Sequence, residues 1–246
     1  MDTLTANWVE ATKRAVESIQ KKYQINRGML LTEGDLECHL FSELLQQECL
    51  SGFHSAKADT LHHNGIKGSE LKTTYVHSQV TWFKPDKKSG YEVDITICEP
   101  QKLEVENIEL FEEYTSKGFA YDGPCVAIEL KFMRDGRNPK QYDEDYFALR
   151  DDLIPDKLNN IENGKYKLSN KDNISFFTIV GCKRKSEFEK ATEYLGKHLS
   201  DETKPCPENL FVCIFYQDEI IWDKEVIKMF YKSKLEELKK RSNKKF

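Results

Sequence analysis

The chain has 246 residues, of which 39% are hydrophobic and 32% are charged, and this composition excludes wholesale disorder and favours a soluble globular protein with a substantial core. The start of the chain lacks the charged beginning and long apolar stretch of a signal peptide, and no apolar run is long enough to span a bilayer, so we expect a cytoplasmic protein that does not enter a membrane. The net charge is −5, but residues 224–246 carry +6 and leave −11 for the rest, a distribution that is compatible with phosphate binding and equally with a solvated helix face.

Two amphipathic helices are predicted first. Apolar residues recur at three- and four-residue spacing from Leu4 to Ile19, which predicts a helix over about 4–23. Thr32-Glu33-Gly34-Asp35 resembles a capping box, and the leucines that follow keep helical period to about residue 47.

The remaining elements alternate between strands and helices. We predict strands at 73–83, 93–97, 127–132, 174–182 and 210–217, the last with an extension at 220–222. We predict helices at 139–160, at 185–199 and from about 223 onward. A turn at 84–90 indicates a hairpin, and an acidic insert separates the second and third strands. The seven cysteines include no C-x-x-C pair, and we expect buried free thiols.

Four charged side chains are candidates for one site. In the strand Ala127-Ile128-Glu129-Leu130-Lys131-Phe132, Glu129 and Lys131 project from the same face, because side chains two apart do so in any strand. Asp94 occupies a comparable position in its own apolar run. Helical phase places Glu33 within the arc of the buried leucines of the second helix, where a carboxylate is costly unless it is paired or bound to a metal. Glu37 lies beside it, and Glu43, at the edge of the stripe, is the weaker candidate.

Crowded carboxylates of this kind favour a hard divalent cation. Asp94, Glu129 and Glu33 would repel one another if they converged, and oxygen ligands favour Mg²⁺ or Mn²⁺ over zinc. A lysine beside such a site can orient and polarise an attacking water. Hydrolysis of a phosphodiester is the reaction that this combination suits.

These motifs resemble those of the PD-(D/E)XK, or restriction-endonuclease-like, nuclease superfamily. The resemblance covers roughly residues 30–217 and consists of a helix acid, a strand Asp and an E-x-K strand in that order. It implies an α/β fold with a restriction-endonuclease-like mixed central sheet flanked by helices, with N- and C-terminal helical extensions. We expect a single domain over 1–246, with an N-terminal helix in 1–28, a core over 30–217 and a basic helix over 223–246.

The resemblance also implies the residue roles. Glu33, Asp94, Glu129 and Lys131 would be catalytic, and the backbone carbonyl of Leu130 would join the three acids as a metal ligand. The implied cofactor is Mg²⁺, with Mn²⁺ as the alternative. Two features depart from the family pattern: Val93 stands where the motif has proline, and 35 residues separate the strand Asp from the E-x-K Glu, so the acidic insert must be an excursion from the sheet.

The substrate is expected to be nucleic acid, DNA rather than RNA, cut by an endonuclease of restriction, repair or anti-phage defence. Gln141 and Tyr146 are one residue too far apart for the Q-x-x-x-Y motif of exonuclease-like members. A homodimer is implied, with the apolar stripe of the first or last helix as its interface. The alternative is an inactive nuclease-fold subunit that binds or regulates. Second-tier site residues are Glu37, Gln141 and His77, and the expected nucleic-acid contacts are Lys140, Lys239, Lys240 and Arg241.

Overall fold

The computed structural model describes residues 3–55, 72–83, 90–104, 120–121, 123–134, 174–203 and 208–243. The predicted helix at 139–160, with Lys140 and Gln141, lies outside the described residues, as does most of the acidic insert.

Helices and strands alternate along the described chain much as the sequence predicts. The described part contains four α-helices: α1 (Thr3–Ile25), α2 (Glu33–Leu45), α3 (Lys185–Leu199) and α4 (Asp223–Asn243). Its strands are β1 (His54–Ser55), β2 (Lys72–Thr73), β3 (Val76–Phe83), β4 (Gly90–Cys98), β5 (Leu103–Glu104), β6 (Ala120–Tyr121), β7 (Cys125–Met133), β8 (Ile174–Cys182), β9 (Leu210–Tyr216) and β10 (Glu219–Trp222). Single 3-10 turns occur at Arg27–Met29, Glu48–Leu50 and Pro100–Lys102.

A mixed six-stranded sheet organises the fold, in the order β10-β9-β8-β7-β4-β3. The neighbours β7, β8 and β9 are parallel, whereas β3–β4, β4–β7 and β9–β10 are antiparallel. The predicted β3–β4 hairpin is therefore confirmed. Strands β5 and β6 pair with each other outside this sheet, so the chain does make an excursion between β4 and β7.

Helices cover both faces of the sheet and create two hydrophobic clusters. α1 and α2 pack on one face, and α3 and α4 pack on the other, mainly over β8, β9 and β10. This arrangement confirms an α/β protein with a mixed sheet flanked by helices.

Helix α1 belongs to the core. Trp8, Ala11, Ala15 and Ile19 have no exposed surface, and the Trp8 ring meets the Tyr75 ring edge-on at 5.8 Å between centroids. The expectation of an N-terminal helical extension outside a core of 30–217 was therefore wrong. Spacing shows that a helix has an apolar face, but it does not show which surface that face covers.

The start of α2 is set by its capping box. The Thr32 side chain accepts a hydrogen bond from the Asp35 N–H, and the Asp35 carboxylate accepts one from the Thr32 N–H. Such caps stabilise a helix by about 1 kcal/mol. Helix α2 thus begins at Glu33, which stands at the sheet end of the helix rather than along its buried side.

Helices α1 and α2 are joined by an ion pair whose acid, Glu43, was expected only as the weaker site candidate of α2. Glu43 is 8% exposed, the most buried of the α2 carboxylates, and it accepts a hydrogen bond from Lys22 of α1. Burial alone would raise the pKa of Glu43. The hydrogen bonds from Lys22 and Ser18, together with the positive charge of Lys22, outweigh this effect, so the pKa is lowered. The buried carboxylate of α2 is therefore a structural one.

The cysteines are free thiols throughout the described chain, as predicted. Cys98, Cys125, Cys182 and Cys213 are buried, whereas Cys38 is exposed. None of the described helices combines the length and apolar character that crossing a membrane requires.

Candidate functional site

The candidate site lies where β4 stops pairing with β7. The ladder between the two strands runs from Cys98–Cys125 to Ile95–Ile128. The next two N–H groups of β7 that point toward β4 donate to carboxylates instead. Leu130 N donates to Asp94 Oδ2 at 2.7 Å, and Phe132 N donates to Glu33 Oε2 at 3.2 Å.

The lysine of the E-x-K strand joins the same group. Lys131 Nζ lies 3.2 Å from Glu33 Oε1, with the Lys131 side chain 21% exposed and the Glu33 side chain 42% exposed. Glu33 therefore bridges the start of α2 to β7 through both oxygens. It is less buried than helical phase alone predicted, because it occupies the first turn, where the helix leaves the sheet.

Strand β7 has the alternation that the sequence predicted. Ile128, Leu130 and Phe132 are buried in the cluster beneath α1 and α2, while Glu129 and Lys131 are half-buried on the other face. Continuing the β4–β7 register by one pair places Asp94 opposite Glu129. The four residues thus meet at one end of the β4–β7 pair.

The charges at this site perturb one another. Burial raises the pKa of Asp94 to about 6, with the negative charges of Glu33 and Glu37 adding to the effect and the Leu130 N–H and Lys131 opposing it. Burial would lower the pKa of Lys131, but Glu33, Glu129 and Asp94 outweigh it, and the pKa is raised. A carboxyl that titrates near neutrality beside a firmly protonated lysine is typical of a functional site.

Gln79, which the sequence analysis missed, orders the next acid. It lies on β3 between the pairs Ser78–Ile95 and Val80–Val93, hence opposite Asp94. Its φ is +56°, a conformation that costs a non-glycine residue about 1 kcal/mol or more. Its Nε2 donates to both oxygens of Glu37, at 2.9 and 3.0 Å.

The hairpin register could have revealed that Gln79 lies opposite Asp94. The two strands pair with Phe83 opposite Gly90, and counting back along both strands places Gln79 opposite Asp94. The positive φ carries no such signal in the sequence.

The other predicted residues lie apart from the four central ones or outside the described chain. One ring nitrogen of His77 is 3.0 Å from the Thr74 carbonyl oxygen, and burial lowers the pKa of the ring. His77 is therefore held by its own strand. Lys239 and Lys240 are exposed on α4, and Arg241 is in the same helix.

The donor groups can be tested against the implied metal. Asp94, Glu129 and the Leu130 carbonyl offer only hard oxygen donors, and the Leu130 carbonyl points into the gap because the N–H and C=O of one strand residue face the same side. The raised pKa of Asp94 indicates excess negative charge, which a cation would relieve. As the described side chains lie, however, no three of the His, Cys, Asp or Glu residues form a ready ligand set. The donors fit a divalent cation in chemistry, and binding one requires the carboxylates to exchange partners.

Comparisons of this chain with protein-family models, curated proteins and solved structures give no match. The geometry of the site and the sheet therefore carries the functional argument.

Proposed function

We propose that this protein is a metal-dependent nuclease that hydrolyses phosphodiester bonds, an endonuclease acting on DNA in restriction, repair or defence. The observation that carries the proposal is the meeting of Asp94, Glu129, Glu33 and Lys131 at the β4–β7 gap, where Asp94 has a pKa of about 6. An ordinary structural ion pair lowers the pKa of its carboxylate, so the raised value favours a role in binding or catalysis.

Each residue has a role that follows from its position. The raised pKa of Lys131 keeps its ammonium protonated at neutral pH, so Nζ acts as a donor to a phosphate oxygen or a water and not as a base. To reach the substrate, Lys131 Nζ must give up its ion pair with Glu33. The Glu33 side chain is half-exposed, so its carboxylate has room to move away. Asp94 is held in place by the Leu130 N–H.

The proposed cation is Mg²⁺, with Mn²⁺ as the alternative. Asp94, Glu129 and the Leu130 carbonyl would hold it, with Glu33 joining once released from Lys131. When bound it supplies charge stabilisation on the phosphate and a more acidic water. Phe132 N and Leu130 N keep the acids oriented at the gap in its absence.

Cleavage assays with a matched lysine variant test the proposal. Lys131→Met keeps the apolar stem and removes the charge, whereas Lys228→Met removes an exposed lysine of α4 as the control. Each protein is incubated with single- and double-stranded DNA and RNA, in Mg²⁺, Mn²⁺ or EDTA. We expect cleavage by the wild type and by Lys228→Met in metal only, and a loss of at least about 100-fold in Lys131→Met.

Two outcomes would count against the nuclease. Cleavage that persists in EDTA or in Lys131→Met comes from another source. No cleavage of any of the four substrates under any condition leaves the second candidate, a nuclease-fold subunit that binds or regulates without catalysis. That candidate is favoured by one observation: both Glu33 oxygens and one Asp94 oxygen already accept bonds within the chain.

Of the two helices considered for a homodimer interface, only α4 presents an exposed apolar stripe. The apolar stripe of α1 is buried in its own chain, whereas Tyr231, Leu235 and Leu238 of α4 are each more than half exposed at coiled-coil spacing. Lysines flank this stripe on both sides, so pairing two copies would bring like charges together. We expect dimers, measured by sedimentation, only as salt rises; a monomer at every salt concentration rejects this interface.

A further inference from the structure

Cationic side chains meet at the carboxyl edge of β7 and β8. The two strands are parallel with Met133 opposite Cys182, so the residues that follow them emerge side by side. Those residues are Arg134, Lys183 and Arg184, and the Lys183 N–H donates to the Met133 carbonyl at 2.9 Å. All three side chains are exposed. We call Arg134, Lys183 and Arg184 the basic edge.

The basic edge borders the candidate site. Arg134 Nη1 lies 3.5 Å from the carbonyl oxygen of Leu31, two residues before Glu33. Lys131, whose Nζ lies 3.2 Å from Glu33, precedes Arg134 by three residues along the chain. The cations of the edge and the acids of the gap thus share one end of the sheet.

A further arginine, Arg27, lies in the 3-10 turn that follows α1, where its charge acts on Tyr23 of that helix. Tyr23 packs its ring edge-on against Phe132, with 6.4 Å between centroids. Burial raises the pKa of the Tyr23 hydroxyl, the positive charge of Arg27 opposes this effect and the negative charge of Glu187 adds to it. Arg27 is exposed, whereas Glu187 is 1% exposed and lies beneath the surface. Among the described residues named here, Arg27 and the three cations of the basic edge are exposed, whereas the acid Glu187 is not.

Among the residues that the structure describes, none of the three cations of the basic edge forms a salt bridge with an acid. The described salt bridges involve other cations, among them Lys131 with Glu33 at 3.2 Å and Lys185 with Glu189 at 3.9 Å. The chain outside residues 224–246 has a net charge of −11. Three exposed and closely spaced cations on an acidic body form a local positive field, which attracts polyanions.

We propose that the basic edge binds the phosphate backbone of a nucleic acid and leads it to the Glu33–Lys131 pair. That the bound backbone leads to the Glu33–Lys131 pair rests on the proposed function, but binding at the basic edge does not require cleavage. Long cationic side chains on neighbouring strands about 5 Å apart can contact successive phosphates. The edge is then the main nucleic-acid surface of the described chain, ahead of Lys239 and Lys240 on α4.

Binding measured without catalysis tests this inference. Fluorescence anisotropy with labelled single- and double-stranded DNA and RNA, in EDTA and over a series of KCl concentrations, gives the affinity and its salt dependence. The test variant is Arg134→Gln/Lys183→Gln/Arg184→Gln. The control, Lys224→Gln/Lys228→Gln/Lys232→Gln, removes the same charge from exposed positions of α4.

We expect the test variant to lose at least tenfold in affinity at moderate salt, and the slope of log K against log salt to fall by about 2 to 3, since each contact contributes about 0.7 to 0.9. The control should bind within about twofold of the wild type. Circular dichroism and Tm verify folding, and the three single variants, each with a slope lower by about 1, replace the triple variant if it does not fold.

The outcomes separate this inference from the proposed function. Equal losses in the test and control variants, or a wild type that binds no nucleic acid, overturn the basic edge whether or not cleavage is found. Loss of binding confined to the test variant upholds the edge even if no cleavage is ever detected, in which case the nuclease alone is rejected.

Discussion

Replacing Asp94 by Asn should stabilise the protein at neutral pH while abolishing cleavage. Asp94 has its pKa raised to about 6 from 3.8, chiefly by burial, so its ionised form is disfavoured in the folded protein. Asparagine has the same shape, carries no charge and still presents an oxygen to the Leu130 N–H. A residue kept for stability would behave in the opposite way.

The size of the effect follows from the shift. A rise of about 2 pKa units corresponds to about 3 kcal/mol against the folded state at pH 7. The lowering effect of the Leu130 N–H is already contained in this net shift and does not reduce it further. The free energy of unfolding of Asp94→Asn should therefore exceed that of the wild type by about 3 kcal/mol, or several degrees in Tm.

The pH dependence has a definite sign. The folded protein binds the Asp94 proton more tightly than the unfolded chain does, so wild-type stability relative to the variant falls as pH rises from about 4 to about 6. The advantage of Asp94→Asn should be complete above pH 6 and absent below pH 4. Urea denaturation at pH 4, 5, 6 and 7 measures it.

Asp35→Asn is the matched control, and its effect on the free energy of unfolding should have the opposite sign. The Asp35 carboxylate accepts hydrogen bonds from Leu31 and Thr32, which lower its pKa. Asp35→Asn should destabilise the protein at pH 7, and the loss should shrink as pH falls through the lowered pKa.

Magnesium gives a second readout of Asp94. Mg²⁺ at ten times its Kd should stabilise the wild type by about 1.4 kcal/mol and leave Asp94→Asn unchanged. If Asp94→Asn is instead less stable than the wild type at pH 7, by an amount that does not vary with pH, Asp94 is a structural partner and the argument from its pKa fails.

Two further substitutions test the packing that positions the site. Gly181→Ala places a Cβ 2.9 Å from a ring carbon of the neighbouring strand and should lower the free energy of unfolding by about 1–3 kcal/mol. Gly34→Ala, at the start of α2, places a Cβ in ordinary contact with the Thr32 hydroxyl at 3.7 Å and should raise the free energy of unfolding by up to about 1 kcal/mol. Equal effects of the two, measured by urea denaturation, would contradict the close approach of α2 to the sheet. Lys22→Met leaves the buried Glu43 without its cation and should cost about 1–3 kcal/mol at pH 7, while Lys21→Met, on the exposed side of α1, should cost less than about 0.5 kcal/mol. A Lys22 variant as stable as the Lys21 variant would show that this pair does not hold the two helices together.

The sequence was most informative where structure depends on neighbours along the chain. The strand at 174–182 and the helix at 185–199 have the predicted bounds, because apolar periodicity reflects which side of an element is buried. The capping box at Thr32 and the alternation of Glu129 and Lys131 are equally local. Chain order then allowed Asp94 and Glu33 to be proposed as their neighbours.

The sequence did not reveal which surface each helix packs against or which residue pairs with each buried acid. Helix α1 was expected as an extension and is a layer of the core, and Glu43, ranked last, is the buried acid because Lys22 lies opposite it. Both outcomes depend on which helix faces which, and helical phase contains no information about the partner.

The sequence by itself determined the elements, their apolar faces and the shared face of the E-x-K pair, since each depends on spacings of two to four residues. Only the tertiary structure decided that β4 stops pairing beside Leu130, so that two acids replace the ladder there. It alone also placed Arg134 beside Lys183, because residues 49 positions apart meet only when their strands lie parallel in register. The charges that define the site and its proposed track are set by these long-range pairings.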